Sequence, residues 1–316
     1  MIDALLLLAT QTLRISAPLA LAGCGGALSE RSGVVNIALE GLLLAGAFGY
    51  AVGAHVAATA LGIEGQQAAF GVHLAIAGAG ILGALVAGTL LAGLHALVTL
   101  RFRADHVVAG VAINLLAAGL TKFLSKLIFG SSSNSGWVYG LPGIPGLRGM
   151  PTIGSALGEP LVWVAFGAVL LTHVLLFRSV WGLRVRAVGE HPAAAEAAGI
   201  AVRPLRASAV IASGLLAALG GAWLAADHHQ FTEGMSAGRG YLALAAVIVG
   251  KWRPAAIGVA CLVFAFADGL QIQLQGSEFP VPQQLLQVLP HVLALALLAG
   301  FVGRATPPSA LGKHHP

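Results

Sequence analysis

Residues 4–28 read ALLLLATQTLRISAPLALAGCGGAL, residues 29–33 SERSG, and residues 34–58 VVNIALEGLLLAGAFGYAVGAHVAA. Each apolar run exceeds the roughly 20 residues that a helix needs to cross a bilayer. The break between them is polar and ends on Gly33, after which Asn36 and Glu40 lie four residues apart, on one face of a helix. A glycine break beside an amide and a carboxylate describes a discontinuous helix. Its freed backbone groups are tolerated at membrane depth only where they line a cavity or are buried in protein. An ionisable group at that depth faces either a pathway or a partner. For Glu40 both readings stand: a pathway residue, or a structural partner of an arginine or a helix end.

The remaining composition agrees. Of 316 residues, 57% are hydrophobic and 9% charged, where a soluble chain of this length carries roughly 80 charges. A soluble protein is excluded and a polytopic, all-α membrane bundle expected. The net charge of +5 reads as topology rather than nucleic-acid binding, because lysine and arginine in such chains mark the cytoplasmic side. Cys24 and Cys261 both sit in apolar runs, which argues against a disulfide framework or a metal site. The head of the chain lacks the basic start of a secretory signal, so the first apolar segment reads as a retained span.

Apolar segments fall at 4–28, 34–58, 70–100, 105–130, 160–177, 206–226, 240–250, 255–275 and 284–302. The seventh is too short for a straight crossing, so eight to ten segments with broken or re-entrant helices are expected. Residues 1–304 read as one transmembrane domain and 305–316 as a short cytoplasmic tail. The positive-inside rule puts the arginine-rich loops and the C-terminus in the cytoplasm. Residues 131–159, 227–239 and 276–283, and the N-terminus, then lie outside.

Gly80, Ala84, Gly88 and Ala92 repeat every four residues, as do Ser213, Ala217, Gly221 and Ala225. Such small-residue faces let helices pack closely in lipid. Asn114 is a further buried amide, and Lys122 and Lys126 are expected to snorkel to the interface. Arg14 and Asp268 have no evident partner. His95, His173 and His291 are scattered and show no metal-ligand spacing.

The segment 178–206, RSVWGLRVRAVGEHPAAAEAAGIAVRPLR, carries five arginines: Arg178, Arg184, Arg186, Arg203 and Arg206. Inside it, Glu190 or His191 is placed to cap a short helix starting at Pro192, running through Ala195 and Glu196, and stopping at Gly199. So short a helix is marginal alone in water and needs something to dock against. The chain has no G-x-x-x-x-G-K-[ST] phosphate loop, so an ATP-driven process requires another polypeptide to bind the nucleotide.

Four ordered blocks carry a family resemblance: ERSGVVNIALEGLLLAGAFG (30–49), ADHVVAGVAINLLAAGLTKFL (104–124), GLRVRAVGEHPAAAEAAGI (182–200) and GMSAGRGYLALAAVIVGKWRP (234–254). They resemble the permease subunits of bacterial ABC importers, in the nucleoside or simple-sugar branch related to ribose and branched-chain amino-acid permeases. The resemblance implies a type II importer fold in the inner membrane that is not itself an enzyme and binds no cofactor. Its expected partners are a second, similar permease, a two-site ATPase carrying the ATP, and a substrate-binding lipoprotein or periplasmic protein that delivers a small polar solute. By the resemblance, Arg184, Arg186, Gly189, Glu190, His191, Pro192, Ala195, Glu196 and Gly199 couple to the ATPase. Gly33, Asn36, Glu40, Gly41, Asn114, Gly238 and Gly240 lie on the translocation pathway, and Gly238 to Tyr241 begins a re-entrant segment that exits at Lys251 to Pro254. The competing class is an ion- or proton-coupled secondary transporter, motivated by Glu40, Arg14 and Asp268 and by the broken second helix. A third reading, a membrane enzyme, has weak support, since no paired carboxylates, HExxH pattern or nucleophile constellation appears.

Overall fold

A computed structural model describes residues 2–63, 68–147, 154–275, 283–300 and 306–314. In chain order the helices are α1 (Ile2–Arg31), α2 (Leu39–Ala60), α3 (Phe70–Ala96), α4 (His106–Phe129), α5 (Gly154–Leu157), α6 (Pro160–Arg178) and α7 (Val180–Glu190). They continue with α8 (Pro192–Ala197), α9 (Val202–His228), α10 (Arg239–Val249), α11 (Pro254–Gln275), α12 (Gln283–Gln287) and α13 (Leu289–Gly300). A π-helical turn, Leu97–Arg101, extends α3. Among the described residues there is no named strand, only an isolated antiparallel bridge between Asn134 and Thr232.

Among the described residues seven helices (α1, α2, α3 with its π turn, α4, α6, α9 and α11) are long and apolar enough to cross a membrane, while α10 and Leu285–Leu297 are shorter apolar pieces. This is the expected all-α polytopic bundle, with segment limits close to those read from hydropathy. The main shift is at α2, which begins at Leu39 rather than 34. Part of the expected 276–283 loop falls outside the described residues.

The bundle is organised around α2 and α9. Their apolar windows are 67% and 72% buried, against 33% for α3, α4 and α6, so the latter three lie at the outside of the bundle with much of their circumference exposed. Glycine sets how close the central helices come. A Cβ on Gly221 of α9 would stand 1.9 Å from the Leu43 carbonyl oxygen of α2, and one on Gly46 of α2 would stand 2.3 Å from the Ala218 carbonyl oxygen. Backbone meets backbone there, and no larger residue fits. The expected small-residue faces of α3 and α9 are these packing surfaces.

Arg31, Arg186, Arg206 and Lys251 gather at one end. The Arg31 guanidinium donates to the Trp252 and Lys251 carbonyls at 3.1 and 3.4 Å. Arg31 and Arg186 lie over the Phe177 ring at 5.8 and 5.0 Å from its centroid. At the opposite end, 131–141 and 229–235 fold over the bundle: Ser135 N donates to the Phe231 carbonyl and Val138 N to that of His229. Tyr50 Oη in turn donates to the Tyr139 carbonyl at 2.9 Å. Lys122 does not simply reach for the interface, since its ammonium bonds Glu233 at 2.8 Å.

Candidate functional site

Within the bundle α10 starts short of both ends. At 1.5 Å per residue, α10 spans about 16 Å, half of a roughly 30 Å hydrocarbon layer. Its far end leads to Lys251 at the basic end, so its first residue lies near mid-depth. A helix start leaves its first N–H groups unpaired and carries a partial positive charge. In lipid those groups need a partner inside the protein.

Glu40 is that partner. Gly238 N donates to one carboxylate oxygen and Gly240 N to the other, both at 2.7 Å. The backbones meet closely here: a Cβ on Gly240 would fall 2.3 Å from Glu40 N. Glu40 also lies in the first turn of α2, so one carboxylate faces the positive ends of two helices. Asn114 of α4 completes the join. Its amide oxygen accepts from Gly41 N at 2.8 Å, and its amide nitrogen donates to the Ile37 carbonyl and to Tyr241 Oη at 3.0 and 3.2 Å. Asn36 donates to Ser213 Oγ of α9 at 2.8 Å, which turns Val34–Ala38 out of the helix.

Of the seven pathway candidates, the structure therefore joins Glu40, Gly41, Asn114, Gly238 and Gly240 in one seam. Asn36 sits beside α9, and Gly33 lies at the basic end against Arg206. The side chains in the seam close helix ends, the second of the two readings that Glu40 allowed. The sequence placed Ser213 on a packing face and Tyr241 in the re-entrant segment, but gave neither a bond to the amides of Asn36 and Asn114 that they meet here.

At the basic end, α7 and α8 form the segment read as a coupling loop. The short helix is there, ends at Gly199 in a left-handed conformation, and rests on Ala195, which packs with Val188 and Val202. Its expected cap is absent: the His191 side chain makes no cap bond. The Glu190 carboxylate instead accepts from Ser309 N and Oγ at 3.1 and 2.9 Å. Gly189 is also turned inward, because a Cβ there would sit 2.0 Å from the Arg31 carbonyl oxygen. Arg184, His191 and Glu196 are exposed, and Arg186 is half-buried over Phe177.

Arg206 departs from the expectation of an interfacial arginine. It is 1% exposed, and its guanidinium donates to the Ser32 and Lys313 carbonyls, both at 3.0 Å. The tail thereby joins the site. Ala310 N donates to the Gly189 carbonyl at 2.9 Å and Gly312 N to that of Gly33 at 3.0 Å.

The charges without evident partners find them far along the chain. Arg14 pairs with Asp227, and Arg239 lies 3.9 Å from Asp268. Among the described residues no group of three His, Cys, Asp or Glu side chains is placed to hold a metal ion. A groove of about 780 Å³ between α2, α3 and α4 is lined almost wholly by apolar side chains such as Phe48, Val52, Leu90 and Leu120. It suits a hydrocarbon surface, not a polar solute.

The chain is similar to known proteins along nearly its whole length. A permease named for guanosine ABC transport, NupQ of Bacillus subtilis, is 39% identical over 313 residues, covering 95% of this chain and 93% of its own. A permease named for nucleoside ABC transport, NupC of Lactococcus lactis, is 34% identical over 323 residues, covering 99% and 98%. Residues 8–301 match the family described as the permease component of branched-chain amino acid transport systems. The chain belongs to that family of ABC transporter permeases, multi-pass proteins of the bacterial inner membrane.

Proposed function

We propose that this chain is one permease half of an ATP-driven importer for nucleosides or a closely related small polar solute. One observation carries the mechanical part of this reading: an unbroken series of packed groups from α8 to the start of α10. The end of α7 abuts the end of α1 at Gly189 and Arg31. Arg31 holds the far end of α10 through the Lys251 and Trp252 carbonyls, and Glu40 holds its near end. An ATPase that moves α8 would thus act on a half-helix whose start lies at mid-depth. Spatial continuity makes this a hypothesis of coupling, and the coupling itself is an energy to be measured.

In this reading the basic end faces the cytoplasm. The ATPase, which carries both nucleotide sites, docks on Arg184, His191, Pro192 and Glu196. A second, homologous permease completes the pathway, and an extracytoplasmic binding protein delivers the solute. The ATPase shifts access only by contacting α8 differently in its two states. Nucleosides are favoured over simple sugars and branched-chain amino acids by the names of the two relatives that match over more than nine-tenths of both chains, at 39% and 34% identity. A gradient-driven carrier loses its motivation, because Glu40, Arg14 and Asp268 all have protein partners.

Replacing Glu196 with Arg should lower substrate-stimulated ATPase activity of the assembled transporter while leaving membrane insertion intact. Unchanged stimulation would remove α8 from the coupling interface. For the substrate, the partner binding protein should be thermally stabilised by a nucleoside in a panel that includes pentoses and branched-chain amino acids. Stabilisation by a sugar or amino acid alone would reassign the cargo.

A further inference from the structure

Residues 306–314, TPPSALGKH, contain no apolar run, yet they are tightly held. Pro308 and Ala310 are buried, and Leu311 packs on the cluster containing Trp252 and Val247. Backbone bonds fix the segment at three places: Ala310 to Gly189, Gly312 to Gly33, and the Lys313 carbonyl to Arg206. The Glu190 carboxylate takes two further bonds from Ser309. Three of these attachments satisfy groups of the bundle that are buried, the Gly189 and Gly33 carbonyls and the Arg206 guanidinium, which would otherwise lack a partner. The segment is therefore a fixed wall, not a loose end.

That wall stands directly beside α8. Between them runs a groove of about 460 Å³, with Glu190, His191 and Glu196 on one side and Ser309, Lys313 and His314 on the other. Ser309, Lys313 and His314 expose their side chains, as do His191 and Glu196. A protein that grips α8 cannot reach its Pro192 end without meeting the tail.

We propose that the ATPase docking surface is a two-walled groove, formed by α8 and the C-terminal segment 306–314 together, with Lys313 as a contact to an acidic group of the ATPase. This rests on the reading of α8 as the coupling element. The groove carries both signs of charge, acidic along α8 and basic along the tail, so its complement offers an acid and a base at matching separation. Such paired charges set register more than they add affinity.

The test uses the assembled transporter, purified with its ATPase subunit, and two separate variants, Ala193→Cys on α8 and Lys313→Cys on the tail. Both positions are exposed, while the native Cys24 and Cys261 are buried, so the parent chain is the blank. A short bifunctional thiol-to-amine reagent is applied, and the conjugates are identified by mass spectrometry. Conjugation of the ATPase from both positions is expected. Conjugation from position 193 only would overturn the tail's part and leave α8 as the coupling element. Conjugation from neither position would overturn both. In parallel, Lys313→Glu should weaken ATPase binding about two- to five-fold at low salt, and less at high salt, as an exposed charge pair does. Unchanged binding at both salt concentrations would remove Lys313 as a contact.

Discussion

Replacing Glu40 with alanine leaves the start of α10 without its acceptor. Two N–H groups, on Gly238 and Gly240, each lose a 2.7 Å bond to a carboxylate. Hydrogen bonds to a charged group contribute about 1.5–3 kcal/mol each, so the loss is about 3–6 kcal/mol, less whatever water reaches the site. Glutamine should fall between, because its one oxygen satisfies one N–H while its amide nitrogen confronts the other with a second donor. Aspartate should rescue poorly, being one methylene short of two bonds already at 2.7 Å. The readout is twofold: thermal unfolding of the purified protein, and amide hydrogen exchange in a peptide spanning 236–242. Alanine should accelerate exchange there by two to four orders of magnitude, since each 1.4 kcal/mol is a factor of ten, while peptides in α3 and α6 stay protected. Unchanged exchange at 238–240 in the alanine variant would refute the capping role. It would return Glu40 to the class of a solute- or ion-facing carboxylate.

Other expectations follow from the same packing. Gly221→Ala adds a Cβ 1.9 Å from the Leu43 carbonyl oxygen; about 1 kcal/mol of helix propensity is gained but overpacking costs about 1–3 kcal/mol or more, so a lower Tm is expected and a raised one would contradict the close approach of α2 and α9. Arg14→Leu and Asp227→Asn should each destabilise by roughly 1–3 kcal/mol, as suits a half-buried pair. The double variant should lose less than the sum of the two, and strict additivity would mean no interaction. Asp105 caps α4 through bonds from Val107 N and Val108 N at 2.9 and 3.0 Å, and these N–H groups hold its carboxyl below the ordinary aspartate range. Its stabilisation is whole above that range and is lost as pH falls through the lowered folded value. Asp105→Ala should therefore reduce stability at neutral pH and narrow its gap to wild type in acid; a constant gap at all pH values would remove the charged cap.

The spans were legible because hydropathy reports depth in a bilayer, and depth is local in sequence. Even the short α10 was visible, from Gly238 at one end and Lys251 at the other. What hydropathy cannot report is which polar groups meet across the bundle. Glu40 and Gly238 are 198 residues apart, and Arg14 and Asp227 are 213. The start of α2 was read five residues early because Val34–Ala38 is as apolar as a helix. Bonds from distant residues, among them Asn36 to Ser213 and Asn114 to Ile37, hold it out of the helix. The short helix α8 was found from Pro192 and Gly199, which act locally, but its cap was not, because Glu190 is claimed by Ser309 from far along the chain. Arg206 read as interfacial for the same reason: charge suggests the surface, and only the Ser32 and Lys313 carbonyls make burial tolerable.

The most direct test places this chain in proteoliposomes with its second permease and ATPase, adds the binding protein outside, and follows labelled guanosine. Uptake that requires ATP inside the vesicles and is abolished when the ATPase is omitted is the expected result. Uptake by this chain without the ATPase, driven by an imposed proton gradient, would contradict an ATP-driven permease.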